Sequence, residues 1–272
     1  MSGRRLISSL AVIGAILSSA TLSACSSTDT LGALSLAEPP RSGAKGLRFD
    51  DHDPFDFTGT APWHHTVHGV DVAKYQNKVD WPRVKGSGIS FAFIKATEGG
   101  DRVDSRFREN WATTQAIGLP RGAYHFFYWC RSGGEQADWF IQNVPHETGA
   151  LPPVLDAEWN PDSPTCPNKV PPAQARKMLK DFIAKVSRRY RKTPIIYTTV
   201  DFYHDNDLAR LDNVQFWLRS TAGHPSEKYP GQHWTFWQYT GTGKVPGIDT
   251  PADINVFRGS QSDFRQWVSD NS

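Results

Sequence analysis

From residue 67 onward the chain carries eight short stretches of aliphatic, aromatic and β-branched residues, and their spacing leaves few folds open. They cover residues 68–74, 89–95, 122–129, 153–158, 194–199, 214–219, 235–239 and 253–257, with helical stretches at 105–117, 135–143 and 172–190 between them. The last helical stretch is the clearest: Pro171-Pro172 opens it, and Met178, Leu179, Phe182, Ile183 and Val186 form one apolar stripe. Strands alternating with helices predict a parallel α/β arrangement. Eight of them in about 200 residues predict an irregular single-domain (β/α) barrel with some helices shortened or missing. An open doubly wound sheet is the alternative. Closure sets Asp71 on the first strand beside Asp253 on the last, whereas an open sheet separates them.

Within the fourth stretch, Leu151-Pro152-Pro153-Val154-Leu155 runs into Asp156-Ala157-Glu158. Side chains two apart on a strand share a face, with Cα atoms about 6.6 Å apart at a rise of about 3.3 Å per residue. Two acids so placed can divide labour, one held neutral to donate a proton and the other ionised to stabilise positive charge. The plain alternative is a strand end whose acids meet water. In a parallel barrel, however, the C-terminal strand ends form the active rim, and Asp156 and Glu158 fall there.

Arg4 and Arg5 precede an apolar stretch from Leu6 to about Leu22, followed by Ser23-Ala24-Cys25 and a polar tract. This pattern is a secretion signal rather than a membrane span. Leu22-Ser23-Ala24-Cys25 resembles the bacterial lipobox, so residues 1–24 are expected to be removed and Cys25 to be lipidated. Conventional cleavage nearby, an uncleaved anchor and a twin-arginine route are the other readings of this end. If the lipobox is used, Ser26 resembles the sorting residue of outer-membrane lipoproteins. The expected location is then the outer membrane facing the periplasm, or the cell surface. The whole chain has a formal charge of +2, and loss of the two signal arginines brings it near zero. That balance gives no sign of nucleic-acid binding. With Cys25 assigned to lipid, Cys130 and Cys166 remain, and an exported chain favours a bridge between them over two separate thiols.

Residues 26–62 are rich in Ser, Thr, Gly, Pro and Asp without sustained periodicity, so 25–66 is expected to be a flexible tether and 67–272 the catalytic barrel. Asp50-Asp51-His52-Asp53 reads as solvated linker, a hard-cation site being the lesser reading. His64, His65 and His68 have suggestive spacing but no helix to present them, so no metal is expected.

Seven motifs in order carry a more specific signal. They are Gly69-Val70-Asp71-Val72 with Tyr75-Gln76, Phe93-Ile94-Lys95-Ala96-Thr97-Glu98-Gly99, Gly122-Ala123-Tyr124-His125-Phe126, Val154-Leu155-Asp156-Ala157-Glu158, Ile196-Tyr197-Thr198, Trp237-Gln238-Tyr239 and Asp253-Ile254-Asn255-Val256-Phe257. Together they resemble the glycoside hydrolase family 25 muramidases. The resemblance implies an irregular α/β barrel that needs no cofactor and cleaves the β-1,4 bond from N-acetylmuramic acid to N-acetylglucosamine in peptidoglycan glycan strands. It implies Glu158 as general acid, Asp156 as its partner carboxylate, and Asp71 and Asp253 as two further acids ringing the site. Tyr124 and Tyr197 match positions near an acetamido pocket, and Trp237 and Tyr239 are further candidates for sugar binding. Core packing is the alternative for each aromatic. Trp159 either shields Glu158 or turns into the core.

The resemblance leans to a retaining, substrate-assisted reaction. Glu158 donates a proton, while an ionised Asp156 orients the 2-acetamido group that serves as nucleophile. Glu98 and Lys95 are expected to form a structural ion pair. Three departures stand out: Asn77 and Arg102 at positions usually filled otherwise, and the segment 216–224, which lacks the usual Trp-x-Ala-x-Tyr pattern and puts subsite preference in doubt. Hydrolysis of chitin or another N-acetylhexosamine polymer, and a wall-binding module without turnover, are the rival functions. A monomer is expected.

Overall fold

The computed structural model describes residues 46–272, so the expected signal peptide and the lipidation site Cys25 lie outside the described residues. The chain order is β1 (Asp50–Asp51), β2 (His68–Val72), α1 (Trp81–Gly86), β3 (Ile89–Glu98), β4 (Arg102–Val103), α2 (Phe107–Ala116), β5 (Arg121–Phe126), α3 (Gly133–Asn143) and β6 (Val154–Ala157). It continues with α4 (Pro172–Tyr190), β7 (Ile195–Thr198), α5 (Val200–Asp205), β8 (Gln215–Arg219), α6 (Pro225–Lys228), β9 (Phe236–Lys244), β10 (Ala252–Phe257) and α7 (Gln261–Asn271). All eight expected strands and all three expected helices are present. The expectation missed short α1, α5 and α6, terminal α7, and the two-residue strands β1 and β4.

Strands β2, β3, β5, β6, β7, β8, β9 and β10 close into a barrel, with β8 paired to β9 and β10 paired to both β9 and β2. The open-sheet alternative is thereby excluded. One strand departs from the parallel expectation, since β10 runs antiparallel to both neighbours. Only residues 245–251 join β9 to β10, too few for the helical crossover that a parallel pair needs. The reversal puts the start of β10, not its end, at the rim where the parallel strands finish. Asp253 thus pairs with Asp71 in register.

Period-two alternation divides the core in two. One face of the strands fills the barrel with Phe91, Phe93, Tyr124, Val154, Ile195, Tyr197, Trp217, Phe236 and Phe257, and α7 adds Phe264 and Trp267. The other face, including Val70, Ile94, Leu155, Ile196 and Leu218, packs with helix residues such as Leu179, Phe182 and Val186 of α4. Large interior rings require small partners. A Cβ on Gly69 would lie 2.3 Å from the Phe91 ring, and one on Gly122 would lie 2.8 Å from the Phe93 ring. Phe93 in turn stacks on Trp217 with ring centroids 4.7 Å apart.

The tether expectation needs correction over 46–66. Asp50 and Asp51 pair with Lys244 and Gly243 of β9, so the acidic stretch forms a strand rather than free linker. Phe57 packs edge-on against Trp237 at 5.4 Å, Phe49 lies 5.7 Å from His68, and Arg48 sits over Trp63 at 4.3 Å. His65 and His68 are buried in this aromatic layer beside Trp234, Trp237 and Tyr239. Aromatic contacts that are long-range in sequence hold this segment, and such contacts leave no periodicity to read.

Cys130 and Cys166 form a disulfide with Cα atoms 5.5 Å apart. It ties the loop after β5 to the loop after β6, both on the rim that carries Asp156. A bridge spanning 36 residues removes chain entropy from the unfolded state worth about 4 kcal/mol. Reduction, or Cys130→Ala with Cys166→Ala, should therefore lower the calorimetric Tm by roughly 10 °C. An unchanged Tm would show that the bridge carries none of the fold's stability.

Candidate active site

The C-terminal rim opens into a cleft of about 410 Å³ whose lining includes Asp71, Lys95, Tyr124, Asp156, Glu158, Tyr197, Trp217, Arg219, Gln238 and Asp253. All four expected acids meet there, together with Tyr124 and Tyr197. Asp156 stands in register with Phe126 on one side and Tyr197 on the other, while Glu158 lies just past the end of β6 on the same face. Trp237 and Tyr239 do not join them. Alternation on β9 turns Phe236 and Gln238 into the barrel and Trp237 outward, where its indole N–H donates to the Ser220 carbonyl at 2.8 Å. Tyr239 also faces outward, packs edge-on against His68, and lines a neighbouring cleft. Trp159 turns away from Glu158 to pack on Phe202 and donate to Asp205 at 2.8 Å.

An amide network holds the floor. Asp71 accepts from Gln238 Nε2 at 3.0 Å and from Asn255 Nδ2 at 2.8 Å. Gln238 Oε1 accepts from the Tyr197 hydroxyl at 2.9 Å, and Asn255 Oδ1 accepts from the Trp217 indole at 2.7 Å. Each amide donates to a carboxylate and accepts from an aromatic side chain, so its orientation is determined at both ends. Gln238 and Asn255 stand inside recognised motifs, but their roles follow only from the closure that sets β9, β10 and β2 side by side. Beside them Lys95 Nζ lies 2.6 Å from Glu98 Oε2, and Tyr128 and Arg102 reach the other Glu98 oxygen. This is the expected ion pair. Its cation faces the cleft, while Glu98 lies outside the cleft lining.

Burial sets the protonation chemistry. It pushes Asp71 well above the usual carboxylate range, helped by the charge of Asp253 and opposed by the two amide donors. It pushes Asp253 up to about 6, with Arg219 opposing. Glu158 is pushed up to about 7 by burial, and Arg219 is the foremost charge drawing it back down. Asp156 also moves well upward, through burial and then the Glu158 charge, with Lys95 opposing. The expectation of an independently ionised Asp156 is therefore incomplete. Neighbouring buried carboxyls titrate as a set, and this set retains protons near neutrality. Asp156 Oδ1 is buried and meets no hydrogen-bond donor among the described residues. Arg219 is the residue that sequence reasoning missed. It continues the inward alternation of 215, 217 and 219 on β8, and that signal could have found it.

A closed barrel whose C-terminal rim gathers carboxyls with raised pKa values defines a class, the α/β-barrel proteins with an acid cluster at the active rim. Comparison with known proteins makes the assignment specific. Residues 70–248 match the model of glycosyl hydrolases family 25, and the chain belongs to that family. It is 37% identical over 215 residues to the uncharacterized protein YegX of Escherichia coli O6:H1, covering 76% of this chain and 75% of that one. It is 38% identical over 205 residues to lysozyme M1 of Streptomyces globisporus, covering 71% of this chain and 68% of the relative. Among solved structures, a family 25 glycosyl hydrolase from Bacillus anthracis superimposes with a TM-score of 0.70 at 35% identity, over 80% of this chain and 98% of that one.

The raised acids make stability depend on pH. The stabilisation that neutral Glu158 gives is fully present below its ordinary value of 4.5 and is lost as pH rises through about 7. Glu158→Gln should thus stabilise the fold by up to about 3 kcal/mol at pH 9 and leave it unchanged at pH 4, as read by urea unfolding. Carbon-detected NMR of the Glu158 carboxyl should give a midpoint near 7 that moves upward in Arg219→Gln, because the arginine charge holds it down. A midpoint that stays put in that variant would remove Arg219 from the electrostatics of the site.

Proposed function

We propose that the protein is a peptidoglycan hydrolase that cuts the β-1,4 bond between N-acetylmuramic acid and N-acetylglucosamine with retention of configuration and with help from the substrate. The observation that carries this reading is the Asp156–Glu158 pair, both lining one cleft on the barrel rim, with Glu158 pushed up to about 7 by burial. Glu158 protonates the leaving sugar oxygen. The Asp156 carboxylate accepts from the N–H of the 2-acetamido group, turning the acetamido carbonyl oxygen toward the anomeric carbon. That oxygen attacks as the glycosidic bond breaks, giving an oxazolinium-like intermediate. Ionised Asp156 stabilises its positive charge, with Lys95 favouring the ionised form. Glu158, now a carboxylate, takes a proton from water, which attacks the anomeric carbon from the face the leaving sugar vacated and opens the oxazolinium ring. The name lysozyme M1 carried by the Streptomyces globisporus relative supports the substrate class.

We further propose that the protein is exported and anchored through a lipid on Cys25, with peptidoglycan as its partner and the barrel acting as a monomer. The Cys130–Cys166 bridge supports an oxidising compartment. Metabolic labelling with a palmitate analogue should mark the wild-type chain and not Cys25→Ser. Equal labelling of both would refute the anchor.

Products of digested peptidoglycan should carry N-acetylmuramic acid at the new reducing end by mass spectrometry, first as the β-anomer by NMR, and chitin oligomers should stay intact. Glu158→Gln should lower kcat about 10²- to 10⁴-fold while keeping glycan binding. Turnover of chitin in place of peptidoglycan would favour the N-acetylhexosaminidase reading, and an α-anomer would rule out retention.

A further inference from the structure

Residues 46–63 build a second cleft onto the catalytic one. The strap pairs with β9 through Asp50 and Asp51, and the His52 N–H donates to the Thr242 carbonyl at 3.0 Å. The Thr242 hydroxyl donates to Asp51 at 2.6 Å. Between this strap, the outer half of β9 and the end of β8 lies a cleft of about 760 Å³, larger than the catalytic one and within the range of small-ligand sites. Its strap wall precedes the residues matched by the family model, which start at 70.

Two residues join the clefts. Arg219 lines both. Gly241 lines the larger one, and a Cβ there would lie 3.1 Å from Asp253 Oδ1, so the missing side chain leaves the passage open to the catalytic rim. The walls are charged in both senses. Arg219 and Lys244 form no ion pair among the described residues, and Asp50 and Asp53 form none either. Exposed Phe55 adds an apolar surface. A stripped glycan offers these walls only the lactyl carboxylate of each muramoyl unit, which leaves the anions and the apolar surface unused. A short peptide with free carboxylates, an amine and methyl-bearing side chains uses all three.

We propose that this second cleft binds the stem peptide borne by the muramoyl unit whose glycosidic bond lies in the catalytic cleft, its carboxylates meeting Arg219 and Lys244 and its amine meeting Asp50 and Asp53. The proposal rests on the muramidase reading for the glycan and extends it to the peptide. It makes the strap a specificity element that prefers peptide-bearing strands over stripped ones. Charge-assisted hydrogen bonds contribute about 1.5–3 kcal/mol each, so one such contact corresponds to a preference of roughly 10- to 100-fold.

The full chain should be given two substrates, a soluble peptidoglycan glycan with its stem peptides and the same glycan after amidase treatment. The expected kcat/KM ratio favours the peptide-bearing strand by at least about 10-fold. It should shrink severalfold in Lys244→Glu and in Asp53→Lys, both exposed positions. Equal kcat/KM on the two substrates, or a ratio unmoved by both charge reversals, would overturn the proposal. A uniform loss on both substrates would assign the cleft to further sugars and overturn it too. Calorimetry with muramoyl tetrapeptide reads the same cleft without turnover. Binding weakened by Lys244→Glu supports the site even if neither glycan is cut, in which case the muramidase reading fails by itself. Absence of binding to the wild-type chain overturns the peptide site whatever the glycan result.

Discussion

Antiparallel pairing of β10 with β2 is the constraint on which the rest of the structure depends. It closes the sheet, and it sets Asp253 opposite Asp71 on the rim where Asp156 and Glu158 already stand. It also brings Asn255 and Gln238 within hydrogen-bonding reach of Asp71. Without closure the four acids do not form a set, and a lone exposed carboxyl has no reason to hold its proton near neutrality. The aromatic interior below them gives the rim its low-polarity floor, and α7 packs Phe264 and Trp267 into the far end.

The site sits at an electrostatic cost that the fold tolerates. Four carboxyls share one cleft, and the cations facing them are few: Lys95, tied to Glu98, and Arg219 at the edge. This imbalance keeps acid protons available for transfer. A cleft lined by matched ion pairs would be more stable and chemically quieter. The disulfide between the loops after β5 and β6 offsets part of that cost close to where it arises.

Much of the barrel was legible because its strands are short apolar runs separated by helical stretches, a pattern that survives in one dimension. Glu158, Asp156, Asp71 and Asp253 were legible because they stand at strand ends within an ordered series of motifs. The direction of β10 was not, since it depends on the brevity of the 245–251 connection rather than on the composition of the strand. Residues 46–66 read as tether because Phe49 and Phe57 are isolated aromatics whose partners, His68 and Trp237, lie outside the segment. Trp237 and Tyr239 were grouped with Gln238 by adjacency in sequence, yet a strand sends neighbours to opposite faces. Arg219 stood in the segment 216–224 that departs from the family pattern, so resemblance gave no role for it.

Closure by the final strand also bears on when the site can exist. Asp71 and Asn255 are 184 residues apart in sequence, and their contact is among the last that a chain emerging from its amino terminus can make. Loop closure over such a distance must precede any reward from the pairing, which makes late assembly intrinsic to this topology. A chain in which residues from 253 onward have yet to pair has neither Asp253 nor the α7 plug in place. The barrel therefore acquires its acid cluster only when β10 closes against β2, and every partial barrel that forms earlier lacks the carboxyl set.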